Sequence, residues 1–304
     1  MSDDRAIELY TKFRNYARKL PRIDRPILQP LADGQTMSGQ MILFVEAASD
    51  FSRELFNSVN DIARSLLTLK AWVQVYEECD LSEQYDLLLE HIRPHSTLAL
   101  GAPQAIRGRF MYAAAVCCSH ANRVLHPDHT ELAWSGKGNM NMPIASRVGQ
   151  PWEKWKKLAP ILSEGLSFGA ISELTGNFRN ATEHGHPRNI GLGLTSSVEL
   201  SDIEMPGCLK PCGGMSETTK KQAWAVSVRE AITLGTVIEV LTEQYALTLK
   251  AYELLSELLQ DQFNALQTKT HPLPWTIPKH VRPLIDSKRS NSDEGDTTID
   301  DQPA

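Results

Sequence analysis

One short segment carries the side chains best suited to chemistry: Phe178-Arg179-Asn180-Ala181-Thr182-Glu183-His184. A guanidinium can grip a phosphate through paired hydrogen bonds and stabilise the extra negative charge of a pentacovalent transition state. A histidine titrates near neutral pH and can take or give a proton. Asn180 adds an amide able to hold His184 or a phosphate oxygen. With RNA as substrate the 2′-hydroxyl is the nucleophile, so such a set needs no metal. On a regular helix, turning about 100° per residue, Ile171, Leu174, Phe178 and Ala181 form the buried stripe. Glu173, Asn177, Asn180 and His184 then fall together on the far side. Arg179 lies about 140° round from His184, so it must reach across or the helix must loosen near its end. Gly185 is a ready cap and Pro187 stops any continuation, which places His184 in the last turn. There it is also simply a favourable cation at a helix C-terminus.

Other chemical motifs fall short. Gly136-Lys137-Gly138 lacks the strand, the helix and the following Ser or Thr of a phosphate-binding loop, and neither G-x-S-x-G nor H-E-x-x-H occurs. Cys208 and Cys212 supply two thiols where a structural zinc takes four ligands, so they read as loop thiols. Cys117 and Cys118 lie in a very apolar stretch and should pack as small core residues. No metal and no cofactor is expected. A second Arg/His pair, Arg123 and His129, is followed by Val124 rather than Asn and is interrupted by Pro127.

Arg179-Asn180 followed by His184 at a helix end resembles the R-N-x-x-x-H signature of the HEPN superfamily. The resemblance covers this motif and its helical setting. It implies an α-helical bundle acting as a metal-independent endoribonuclease, with Arg179, Asn180 and His184 catalytic and two copies of the motif meeting across a homodimer interface. A symmetric dimer would supply both a proton donor and an acceptor. Such proteins often serve as toxins or antiviral effectors, so the resemblance also implies a defence role and an antitoxin or regulatory protein as partner. The alternative is a catalytically inactive HEPN-like bundle that binds RNA, a nucleotide or a partner protein.

A phosphate polymer requires positive charge nearby. Lys137, Arg147, Lys154, Lys156, Lys157, Arg179 and Arg188 face only four acids over residues 137–188, against a net charge of −6 for the 304-residue chain. Lys154, Lys156, Lys157, Arg188 and Asn177 are the candidate substrate-binding residues. Trp152 and Trp155 alternate with the lysines and either stack on bases or pack in the core. Six acids against two bases in residues 286–304 account for most of the acidity. The overall balance excludes an indiscriminate nucleic-acid coat but not a local site. The N-terminal segment is basic through Arg14, Arg18, Lys19, Arg22 and Arg25, as suits either an RNA arm or a solvated helix face.

The elements that must position these groups read as helical. Residues 41–79 contain no Pro or Gly, and their apolar residues recur at threes and fours, which predicts one long helix. A short helix from Ser82 to about residue 91 follows, with breaks expected at Pro94 and at Gly101-Ala102-Pro103. An apolar helix then spans 104–125. Residues 135–151 read as a loop, and 151–184 as a helix kinked or restarted at Pro160. The Gly- and Pro-rich stretch 185–217 reads as a long connection in which 192–200 could form a small hairpin. The segment 217–269 reads as a last long helix, with Trp224, Val228, Ile232 and Ile238 opening its seam.

The expected fold is thus all-α, a HEPN-like bundle of long helices with a long irregular loop before the last one. Residues 1–38 form an N-terminal helix and Pro-containing linker, 39–270 the bundle, and 271–304 a Pro-rich segment with a disordered acidic tail. No stretch is apolar enough to span a membrane, the N-terminus lacks a signal-peptide core, and five cysteines do not suggest a disulfide framework. A cytoplasmic protein is expected.

Overall fold

The computed structural model describes residues 2–31, 39–205, 209–210, 214–215 and 219–269. The thiols Cys208 and Cys212 and the acidic tail lie outside the described residues. The chain is all-α in class. Helix α1 (Asp3–Lys19) lies on α2 (Gly39–Glu77), the long helix that the unbroken apolar spacing predicts. An aromatic stack holds them together: Phe13 lies on Trp72 at 4.3 Å between ring centroids, and Trp72 lies on His91 at 4.2 Å. At the next reset Asp80, not Ser82, is the cap. Its carboxylate accepts the Glu83 N–H at the start of α3 (Leu81–Leu87).

The breaks expected at Pro94 and Pro103 do not occur. A single π turn over Leu88–Ile92 leads directly into α4 (Arg93–Leu125). Pro94 then follows the π turn directly, and the wider winding there carries the chain past a residue that cannot donate. Pro103 is buried inside α4, and the helix runs on through it, giving up the one hydrogen bond that the ring cannot donate. Helices α2 and α4 pack on each other and on the last long helix, and these three hold the core.

The stretch 135–151, read as a loop, contains a helix of its own, α5 (Met142–Gly149), capped by Asn141 accepting the Ile144 N–H. Gly149 sits against the ring of the buried Trp155, and a Cβ there would come within 2.3 Å of it. Replacing Gly149 by Ala should therefore lower stability by about 2 kcal/mol through overpacking, read as a lower urea midpoint with an unchanged slope.

Residues 151–184 are not one helix. They form α6 (Glu153–Pro160), a π turn over Ile161–Gly165, α7 (Ala170–Thr175) and α8 (Phe178–His184). The first break is supported from the last helix: Gln244 accepts the Ser167 N–H at 2.8 Å and donates to the Gly165 carbonyl at 3.3 Å. The second break is local. Gly176 and Asn177 both take left-handed conformations, φ +66° and +54°, and the Asn177 N–H closes onto the Ser172 carbonyl at 2.7 Å.

Before the last helix the chain leaves the bundle as a two-stranded antiparallel ribbon. Strands β1 (Leu194–Met205) and β4 (Thr219–Glu230) pair along their whole lengths, with the short strands β2 (Leu209–Lys210) and β3 (Gly214–Met215) between them. The small hairpin expected at 192–200 is thus the start of a much longer one. The last helix, α9 (Leu234–Lys269), begins at Thr233, whose hydroxyl accepts the Thr236 N–H, and not near residue 217. No helix among the described residues is long and apolar enough to cross a membrane.

Candidate functional site

The motif Arg179-Asn180…His184 occupies α8 almost end to end. Phe178, only 4% exposed, anchors this short helix against α4, and the Gly185 N–H closes its end on the Ala181 carbonyl at 2.9 Å. His184 is therefore in the last turn, where Gly185 and Pro187 place it. The break at Gly176 changes the stripe that a continuous helix would have made. Ile171 and Phe178 are buried, but Leu174 is exposed. Asn177 no longer shares a regular helical face with Asn180 and His184, because its backbone is left-handed.

Arg179 does not reach His184 directly. Its Nε donates to Glu183 Oε1 at 2.8 Å, and the other carboxylate oxygen of Glu183 stands 3.9 Å from His184 Nε2. Glu183 thus stands between the guanidinium and the imidazole. Sequence reasoning did not give Glu183 a role, although an Arg and a Glu four apart on a helix signal such a pair. The His184 side chain is 72% exposed and lies open to solvent. Asn180 is also exposed. Arg179 instead borders a crevice of about 20 Å³, room for one water, with Gln104 and Leu100 of α4 and with Asn177. His184 is not among the residues lining it.

Of the candidate substrate-binding residues, Asn177 lines that crevice and the other four do not. Lys154 is held by Glu257 of α9, and this hydrogen bond raises its pKa while lowering that of Glu257. Lys156 pairs with Glu153 at 2.9 Å, and Lys157 is exposed on the same helix α6. Arg188 acts as a clamp. Its Nε donates to the Glu230 carbonyl at 3.0 Å and its Nη1 to the Leu174 carbonyl at 3.1 Å, tying the end of β4 to the end of α7. Trp155 offers no free ring for stacking, whereas Trp152 keeps part of its ring at the surface. Trp155 is 3% exposed, and the half-buried Trp152 donates its Nε1–H to Asn122 at 2.9 Å.

The remaining thiols are core residues, as their apolar setting suggests. Cys117 and Cys118 are fully buried, and burial pushes the Cys117 thiol up to about 12. Among the described residues no group of three or more His, Cys, Asp or Glu side chains is placed to hold a metal ion. Comparison of the chain with family models, with curated proteins and with solved structures finds no match.

Proposed function

We propose that this chain is a metal-independent endoribonuclease of HEPN type, working as a homodimer in the cytoplasm through Arg179, Asn180 and His184. The observation that carries the reading is the arrangement on α8. A guanidinium and an imidazole flank one carboxylate at the end of a short helix, and the imidazole is open to a large substrate. The Arg179–Glu183 pair does not lock the guanidinium away. An exposed i,i+4 ion pair of this kind is worth about 0.5 kcal/mol or less, so a phosphate dianion or diester can displace the carboxylate cheaply.

In this reading the RNA 2′-oxygen attacks the adjacent phosphorus, forming the O2′–P bond while the P–O5′ bond breaks. One His184 takes the 2′-hydroxyl proton and the other copy's equivalent gives a proton to the departing O5′. Arg179 binds the phosphoryl oxygens whose charge grows in the transition state. Asn180 is free to orient the imidazole or a phosphate oxygen. The proposed physiological setting is a toxin or antiviral effector restrained by an antitoxin or regulatory protein.

The test is cleavage of a panel of RNAs, including tRNA, by purified chain in excess chelator. Products ending in 2′,3′-cyclic phosphate with new 5′-hydroxyl ends are expected. A chain that leaves every RNA intact, and that causes no growth arrest on expression, ends the nuclease reading. RNA binding without cleavage would favour the inactive bundle instead, a reading supported by the open position of His184 outside the crevice beside Arg179.

A further inference from the structure

The ribbon of β1 and β4 presents an apolar face to solvent. Register pairs Val198 with Val226, Leu200 with Trp224, Ser196 with Val228, and Leu194 with Glu230. Successive residues of a strand point to opposite faces, so Leu194, Val198, Leu200, Trp224, Val226 and Val228 share one side. All six are more than half exposed, Trp224 at 72% and Val226 at 70%. The opposite side carries Thr195, Ser197, Ala223, Ala225 and Ser227. The polarity is the reverse of a ribbon folded for solvent on its outer face.

We propose that this face is where two copies of the chain meet, ribbon against ribbon. Three observations select a second copy as the occupant. First, the six side chains leave on the order of 700 Å² of surface, close to the roughly 800 Å² that each partner gives to a stable interface. That is more than the largest apolar patch of a typical monomer, about 300–600 Å². Second, the face has no cavity or charge at its centre. Ser196, opposite Val228, is a small uncharged residue within it, and Glu230, Asp202 and Gln222 lie toward its ends. A flat face of valines and leucines is complementary to its own two-fold copy, and two such faces pack about 10 Å apart like the layers of a sandwich. Third, a lone two-stranded ribbon is marginal in water, and stacking gives it the second layer it lacks. Six apolar side chains without a cation among them are a poor match for RNA phosphates.

A second copy is the partner that the nuclease reading requires, and the interface rests on it in that sense. The outcomes distinguish them: a dimer that survives substitution of the ribbon overturns this interface alone, whereas a monomeric chain removes the second copy that both need. The experiment is sedimentation equilibrium of the full chain and of Val226→Asp, with Leu200→Asp as an independent second variant. The wild-type chain is expected to be a dimer, and either variant to raise the dimer dissociation constant by on the order of 100-fold, because each copy would bury an unpaired carboxylate. Helical circular dichroism should be unchanged, as both positions are exposed in the single chain. Trp224 fluorescence should shift to the blue on dimerisation and lose its concentration dependence in the variants. A monomeric wild-type chain overturns the proposal, as does a dimer that survives both substitutions. Co-sedimentation of a monomeric chain with phosphatidylcholine–phosphatidylglycerol vesicles would overturn it too, assigning the face to lipid.

Discussion

Replacing His184 by alanine is expected to reduce RNA cleavage by about 100- to 10,000-fold, the usual contribution of a positioned acid or base, while RNA binding persists. The result would be clean because the side chain is 72% exposed and stands 3.9 Å from the Glu183 carboxylate, beyond hydrogen-bond distance. Removing such a group should leave stability within about 0.5 kcal/mol. Lost cleavage could then not be blamed on unfolding. Arg179→Lys separates charge from geometry. It keeps the cation but loses the planar fork that engages two phosphate oxygens together, so activity should fall while the salt dependence of binding stays. Cleavage that persists in His184→Ala would show that another group, or a contaminating nuclease, does the chemistry.

The largest loss of stability is expected at Asn122, which has no role in that chemistry. Its side chain is 1% exposed and makes three bonds to three separate segments. The amide donates to the Leu132 carbonyl at 2.8 Å and to the Val148 carbonyl at 2.7 Å, and its oxygen accepts Trp152 Nε1–H at 2.9 Å. Alanine would strand all three partners. With a cost of about 1–3 kcal/mol for each buried group left unmet, and some rescue by water at Trp152, a total of about 4 kcal/mol is expected. Chemical denaturation should show a much lower midpoint, and near-ultraviolet dichroism should show a loosened Trp152. Asn122→Asp should recover none of the loss, because a buried carboxylate oxygen would then face the Leu132 and Val148 carbonyls, which can only accept. A change below about 1 kcal/mol in Asn122→Ala would mean that the segment 130–152 does not depend on this hub.

The contrast between these two sites shows what the sequence could disclose. Helix α2 was legible because 41–79 has no breaker and one consistent period, and the end of α8 was legible because Gly185 and Pro187 follow His184. The strand β4 was not. Trp224 and Val228 are four apart, a spacing that suits a helix face and, being even, suits a strand face equally well. Val226 between them decides for the strand, together with the pairing to β1 that no local window contains. The prolines misled in the other direction, because a π turn and burial carry α4 past both of them. At the candidate site the residue types could be read, but their partners could not. Lys154 meets Glu257 and Arg188 meets Glu230 only through folding, across separations that no motif encodes. The role of Asn122 was hidden in the same way, inside a helix, where its amide meets Leu132, Val148 and Trp152 only through folding.

The chain leaves the bundle and returns to it at nearly the same point. Ile190 and Ile232 form a parallel bridge, with the Gly191 N–H on the Ile232 carbonyl at 2.8 Å and the Ile232 N–H on the Asn189 carbonyl at 2.7 Å. Arg93 of α4 secures the outgoing strand by donating to the carbonyls of Ile190 and Leu192. Everything between these two isoleucines is therefore an excursion whose ends are already stapled shut. Closing a loop costs entropy that grows only slowly with its length, so the bundle is nearly indifferent to how long that excursion is. The consequence is modular: the segment can lengthen, shorten or change its sequence while the three-helix core keeps its packing.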